Sequence, residues 1–142
     1  MILIATTCLS KSWYLEWVGP LVLSCEEVRR VPASIPGVYV LHGYDEDQGA
    51  YRPLYVGKAT DVRRRMAQHM RSRGGSVPPE VALLRRVVQL HFSAAPVLEA
   101  PALARLEAGL VLMLRPPFNR QVPAAQPLYP NLPPMVFERR TS

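Results

Sequence analysis

The sequence predicts a small α/β domain of the α+β kind, with strands and helices around one core. Three observations lead there. Gly37-Val38-Tyr39-Val40-Leu41-His42 is rich in β-branched and aromatic residues, and Leu54-Tyr55-Val56 repeats that pattern more briefly. Apolar residues fall at helical spacing after Thr60 and again over Ala100 to Leu114. With 142 residues and 49% apolar content, the chain can bury one core without staples.

Taken in order, Ile2-Leu3-Ile4 reads as a short strand, and Trp13, Tyr14 and Trp17 read as packing residues. The apolar start from Met1 to Leu9 is short and has no leading charge, so it is not read as a signal peptide. Leu21-Val22-Leu23 is a short strand or an extended lead-in. Ser24 and Glu27 form a capping box that opens a helix over Cys25 to Val31, ended by Pro32 and Pro36. The strand Gly37 to His42 follows, with Val38, Val40 and His42 on one face and Tyr39 and Leu41 on the other. Gly43 to Arg52 reads as a polar loop. The strand Leu54 to Val56 pairs back as a hairpin and is ended by Gly57.

Thr60 and Asp61 can cap a helix running to Arg71, broken by Gly74-Gly75. Pro78-Pro79 fits the start of a short helix, Glu80 to Leu84, and Val87 to Phe92 reads as a third strand. Pro101 sits at the start of a long helix, Ala100 to Leu114, with Leu103, Leu106, Leu110 and Met113 on one stripe. Pro116-Pro117 ends it. The tail beyond Gln121 holds five prolines and reads as extended, either packed on the body or loose. The chain divides into an extension (1–34), a core (35–121) and a Pro-rich tail (122–142), without internal repeats.

Charge is unevenly spread. Residues 1–50 carry three basic and six acidic side chains, a net of −3, and residues 51–142 carry fourteen and five, a net of +9. Fifteen of the seventeen basic residues are arginine, whose planar fork suits phosphate. Such a segment fits a polyanion, most simply nucleic acid, although solubility alone also accounts for it. Cys8 and Cys25 lack metal-ligand spacing and are too few for a disulfide scaffold. They fit small core positions in a reducing cytoplasm. No run reaches the length needed to cross a membrane.

The stretch Leu54 to Met70 draws these signals together. A strand turns through Gly57 into a helix on which Arg65 and His69, four apart, share a face. Such a turn can cradle a phosphate with backbone N–H groups and the helix N-terminus. Read alone, the same stretch is a solvated basic helix.

Beyond it, Glu107 lies within the long helix, and Asn119 follows just past the Pro-Pro break. The ordered set of Gly37-Val38-Tyr39, Tyr55-Val56-Gly57, Arg65, His69, Glu107 and Asn119 resembles the GIY-YIG nuclease family. It is similar in particular to the nuclease domain of the bacterial excision-repair endonuclease and to restriction enzymes built on the same module. The likeness covers about Ile35 to Gln121. Val38 and Val56 replace isoleucines, a change within β-branched residues.

The resemblance implies a central three-stranded, mainly antiparallel sheet flanked by helices. It also implies a Mg2+-dependent DNA endonuclease of restriction or repair type, with Mn2+ as an alternative ion. Glu107 would be the metal ligand, since one carboxylate with retained waters is how Mg2+ is usually held. Arg65 would hold the scissile phosphate. Tyr39 or Tyr55 would take the proton from water, with metal-bound hydroxide as a competing base, and either phenol needs nearby positive charge to do so at neutral pH. His69 would bond a tyrosine or act as an alternative base. Gly37, Gly57, Lys58 and Asn119 would support the site, Lys58 by touching phosphate or lowering a tyrosine pKa. Lys58, Arg63, Arg64, Arg71 and Arg73 would contact double-stranded DNA. His42 and His91 match no family position.

Three functional readings stay open: an active nuclease, a catalytically weak nucleic-acid-binding module, and a subunit whose activity depends on a partner. Specificity would come from a homodimer, DNA shape or a partner protein. Segments 1–34 and 43–53 are the spare material for reading a target.

Overall fold

The computed structural model describes residues 12–71, 79–84 and 88–133. Along the chain run β1 (Ser12–Trp13), β2 (Val18–Val22), α1 (Cys25–Val28), β3 (Gly37–Asp45) and β4 (Ala50–Ala59). They are followed by α2 (Val62–Arg71), α3 (Pro79–Leu84), β5 (His91–Pro96), α4 (Ala100–Leu114) and β6 (Tyr129–Pro130). The expected strand at Ile2 to Ile4, Cys8 and Arg73 lie outside the described residues.

One antiparallel sheet organises the fold, in the order β2-β5-β3-β4. It has four strands where three were expected, because β2 pairs with β5. The period-two pattern of β3 sorts its side chains into two cores. Tyr39 and Leu41 pack with Val62 and Met66 of α2, Val81 of α3 and Val28 of α1. Val38 and Val40 pack with Val56 and with Leu103, Leu106 and Leu110 of α4. Both faces of β3 are therefore dry over its first half, where Val38, Tyr39, Val40 and Leu41 have no exposed surface. Each side chain of this size contributes about 1.5–3 kcal/mol on burial.

Several expectations are corrected. Gly57 does not end its strand, since β4 continues to Ala59 opposite Gly37. The supposed loop Gly43 to Arg52 is mostly ladder, with only 46–49 turning. There Tyr44 stands opposite Tyr51, and the Arg52 guanidinium meets Asp45 at 2.8 Å. Cross-strand aromatic and charge pairs of this kind carry a hairpin outward. Pro53 sits where the β3–β4 register shifts opposite Leu41 and His42, and a bulge is one of the places where a strand accepts proline.

The third strand lies at His91–Pro96 rather than Val87 to Phe92. Its Ala94 and Ala95 are poor strand formers, but they are buried in a strand paired on both sides, with β2 and with β3. Met113 is 39% exposed and leaves the apolar stripe, which continues through buried Val111. Tyr14 and Cys25 are exposed rather than packed. The first helix stops at Val28, although Ser24 Oγ does accept the Glu27 N–H.

The start of the Pro-rich tail is packed. The Leu128 N–H donates to the Arg105 carbonyl at 2.9 Å, and Arg105 Nε donates to the Gln126 carbonyl at 2.9 Å. Asn131 receives the Leu15 N–H on its side chain and the Trp17 indole N–H on its carbonyl, so the tail is tied to the N-terminal segment. Among the described residues, no helix is long and apolar enough to cross a membrane.

Candidate active site

The register of β3 and β4 sets the site. Tyr39 stands opposite Gly57, Val40 opposite Val56, and Leu41 opposite Tyr55, so the two glycine-tyrosine tripeptides meet across the ladder at the Tyr39–Gly57 pair. A Cβ on Gly57 would lie 2.3 Å from the Tyr39 hydroxyl and 2.4 Å from its Cζ. Gly57 is thus the space into which the Tyr39 ring is laid. A Cβ on Gly37 would meet the Ala95 carbonyl oxygen at 2.3 Å. Both glycines serve close approach, and Gly57 is strand backbone rather than a phosphate-cradling turn.

Tyr39 is fully buried, and its hydroxyl lies 2.9 Å from His69 Nε2. The rings of Tyr39, Tyr55 and His69 form a triangle with centroid separations of 6.4, 5.3 and 6.2 Å. Helix α2 presents His69 and Arg65 there because Asp61 caps it, accepting the Arg64 N–H on its side chain at 3.1 Å. Burial, reinforced by Arg65, lowers the His69 pKa to about 4, so its imidazole is neutral at pH 7.

Burial also raises both tyrosines. For Tyr39 the neighbouring Tyr55 adds to the rise, and for Tyr55 Glu107 does, while Arg65 opposes it in each case. Tyr55 is only half-buried, so its ring alone of the two meets solvent.

On the other face of β4, Lys58 Nζ lies 3.7 Å from Glu107 Oε1 of α4. The Glu107 carboxyl is raised by burial, against the pull of Lys58 and Arg65. Its side chain is 15% exposed and that of Lys58 44%. The field of Arg65 reaches Tyr39, Tyr55, His69 and Glu107 alike, so these groups form one constellation around β4.

Asn119 closes the edge of β4 by acting as a strand would. Its Oδ1 accepts the Val56 N–H at 2.8 Å, and its Nδ2 donates to the Val56 carbonyl at 2.9 Å. The turn after α4 is thereby fixed beside the site, with the Phe118 N–H on the Leu54 carbonyl.

Not every basic residue named from the sequence joins this group. Arg63 turns away, donating to the carbonyls of Val31 and Arg29 at 2.7 Å each. Arg64 and Arg71 are exposed on α2. One residue was missed: Gln68, whose Oε1 accepts from Arg65 Nε at 3.1 Å. Its position three residues after Arg65 was the available signal.

Chemically, the arrangement offers a half-buried carboxylate, two cations and a half-buried phenol around β4. A wide groove does exist, but at the tip of the β3–β4 hairpin, lined by Tyr44, Tyr51 and the acids Asp45, Glu46 and Asp47. An open site suits a polymer that lies across it better than a small molecule that must be enclosed.

The family model for the UvrC-like GIY-YIG domain matches residues 35–120. The UvrABC system protein C of Saccharophagus degradans is 40% identical over 86 residues, which are 61% of this chain and 13% of that protein. Excinuclease cho of Escherichia coli K12 is 34% identical over 87 residues, 61% of this chain and 26% of that protein. The chain therefore corresponds to about a quarter or less of the length of these two relatives. The N-terminal endonuclease domain of UvrC from Thermotoga maritima, solved with its catalytic divalent cation, aligns with a TM-score of 0.49 at 20% identity. That alignment spans 69% of this chain and all of the other.

Proposed function

The chain belongs to the family of UvrC-like GIY-YIG domains, and from that premise we propose that it is a divalent-metal-dependent endonuclease that hydrolyses phosphodiester bonds of double-stranded DNA in the cytoplasm. The observation that carries this reading is the joint position of Arg65, Tyr55, Lys58 and Glu107 around the outer strand β4.

The donor set fits Mg2+. Glu107 is a single hard carboxylate, and among the described residues no group of three or more His, Cys, Asp or Glu could hold a metal. An ion that keeps most of its waters is what one carboxylate can retain. Bound there, Mg2+ would neutralise charge on the phosphate and lower the pKa of water.

The chain's own groups do the rest. Arg65 holds the scissile phosphate and the charge that grows on it. Lys58 adds a second positive charge at the same edge. Tyr55 takes the proton from the attacking water, because its ring is within reach of solvent while Tyr39 is fully buried. Its raised pKa means that it needs Arg65 and the metal to act as a base near neutral pH. His69 and Tyr39 hold each other and fix the wall against which Tyr55 works.

Repair-type incision is favoured over restriction. The names of the relatives, an excinuclease and a UvrABC component, support it. So does the character of segment 43–53, a hairpin whose tip carries Asp45, Glu46 and Asp47. Those charges repel phosphate, so the hairpin is ill suited to read a DNA sequence. Target choice then falls to a partner protein.

The test is nicking of supercoiled plasmid, untreated and ultraviolet-irradiated, with Mg2+ and with EDTA. Metal-dependent nicking that rises with damage supports the proposal, and a fixed set of fragments from undamaged DNA would favour restriction. Binding without any cutting, with or without damage, would remove the enzyme reading.

A further inference from the structure

We propose that Gln68 is a positioning residue for Arg65, an inference that rests on the nuclease reading above. A free arginine side chain has about 2 kcal/mol of rotamer entropy to lose when it takes one orientation. Arg65 is only partly buried on α2, so an arginine there that is meant to meet a phosphate gains from being oriented beforehand.

Helix spacing supplies the anchor. Residues three apart in α2 are neighbours on its surface, and the Gln68 Oε1 accepts from Arg65 Nε at 3.1 Å in a part-buried setting. The guanidinium carries donors only, so the carbonyl end of the amide must face it. A longer contact, 3.4 Å from Nη1 to the Lys58 carbonyl, fixes the adjacent corner. Together they engage two of the five guanidinium N–H groups, the Tyr39 hydroxyl is a further hydrogen-bond partner, and the remaining donors are left for a phosphate.

The chemistry of the anchor matters as much as its place. Both acceptors are neutral carbonyls, so Arg65 is oriented while keeping its full charge. Among the described residues no carboxylate lies within ion-pair distance of Arg65, and Glu107 is taken by Lys58 instead. A glutamate at position 68 would hold the fork equally well but would cancel the charge that phosphate needs. A glutamine is the side chain that combines both properties at this length.

The experiment combines cleavage kinetics with NMR of protein labelled with 15N-arginine. Gln68→Met keeps length and helix propensity but removes the acceptor. It is expected to lower kcat about tenfold while KM for plasmid and the thermal midpoint stay near wild type. It should also shift the Arg65 Nε–H signal and speed its exchange with water. Gln68→Glu is expected to keep that signal and still cut slowly. Wild-type protein that cuts nothing would overturn the nuclease reading and this role with it. Wild-type cutting with a full-rate Gln68→Met, or an unchanged Nε–H signal in that variant, would overturn the role of Gln68 and leave the nuclease reading standing.

Discussion

Replacing Gly57 by alanine probes the packing on which the whole site depends. The new Cβ would stand 2.3 Å from the Tyr39 hydroxyl, 2.4 Å from Cζ and 2.9 Å from Cε1. More than 1 Å must open to restore ordinary contact. The ring cannot yield easily: it is fully buried, it sits on a strand paired on both sides, and its hydroxyl is bonded to His69. Overpacking of this kind costs about 1–3 kcal/mol. Moving the hydroxyl off His69 adds about 1 kcal/mol more. The expected loss is therefore roughly 2–4 kcal/mol, read from the urea midpoint at constant m-value. Gly43→Ala is the control, since its Cβ would meet only the Leu54 side chain, at 3.3 Å. A Gly57→Ala protein that loses no more than Gly43→Ala, or less than about 0.5 kcal/mol, would refute the reasoning.

The buried histidines make stability depend on acid. His42 and His69 have folded pKa values of about 3 and about 4, below the unfolded 6.5, because burial disfavours their charged forms. The unfolded chain thus binds protons first, so stability is whole above pH 6.5 and falls as pH drops toward 4. The slope is at most about 1.4 kcal/mol per pH unit for each histidine, and a urea midpoint that is flat from pH 7.5 to 5 would contradict it. Arg63→Ala should lose about 1–2 kcal/mol, from its two bonds to Arg29 and Val31, without changing the salt dependence of DNA binding. Arg64→Ala should do the reverse and lower that slope by about one unit; an unchanged slope would place Arg64 in solvent. Tyr55→Phe should slow cutting about a hundredfold at unchanged stability. Tyr39→Phe should mainly destabilise, by about 1–3 kcal/mol, and a full-rate Tyr55→Phe would shift the base role to metal hydroxide.

Much of the fold could be read where local pattern and tertiary demand agree. Alternation in Gly37 to His42 separated the two cores correctly, and the helix Ala100 to Leu114 was expected with the bounds it has. Pattern failed where a contact distant in sequence decides. Ala94 and Ala95 form a strand because β3 and β2 pair with them on both sides, and Val18 to Val22 joins the sheet through β5. Gly57 looked like a strand terminator because its neighbour in space, Tyr39, lies eighteen residues earlier. The site behaves likewise. Its residues stand out as an ordered set, but the division of labour among them depends on burial and register. That Arg63 and Arg65 point to different partners, and that Tyr39 is enclosed while Tyr55 is open, follows only from the folded chain.

The central claim is that Glu107 is the group through which this edge holds a divalent ion for cutting. Its most direct test is single-turnover cleavage by wild-type and Glu107→Ala proteins, with DNA affinity measured separately on the same preparations. The account predicts Mg2+-dependent cutting that falls at least a thousandfold in the variant (roughly 4 kcal/mol of barrier) while DNA binding changes less than twofold. Cutting retained by Glu107→Ala at a comparable rate would contradict it.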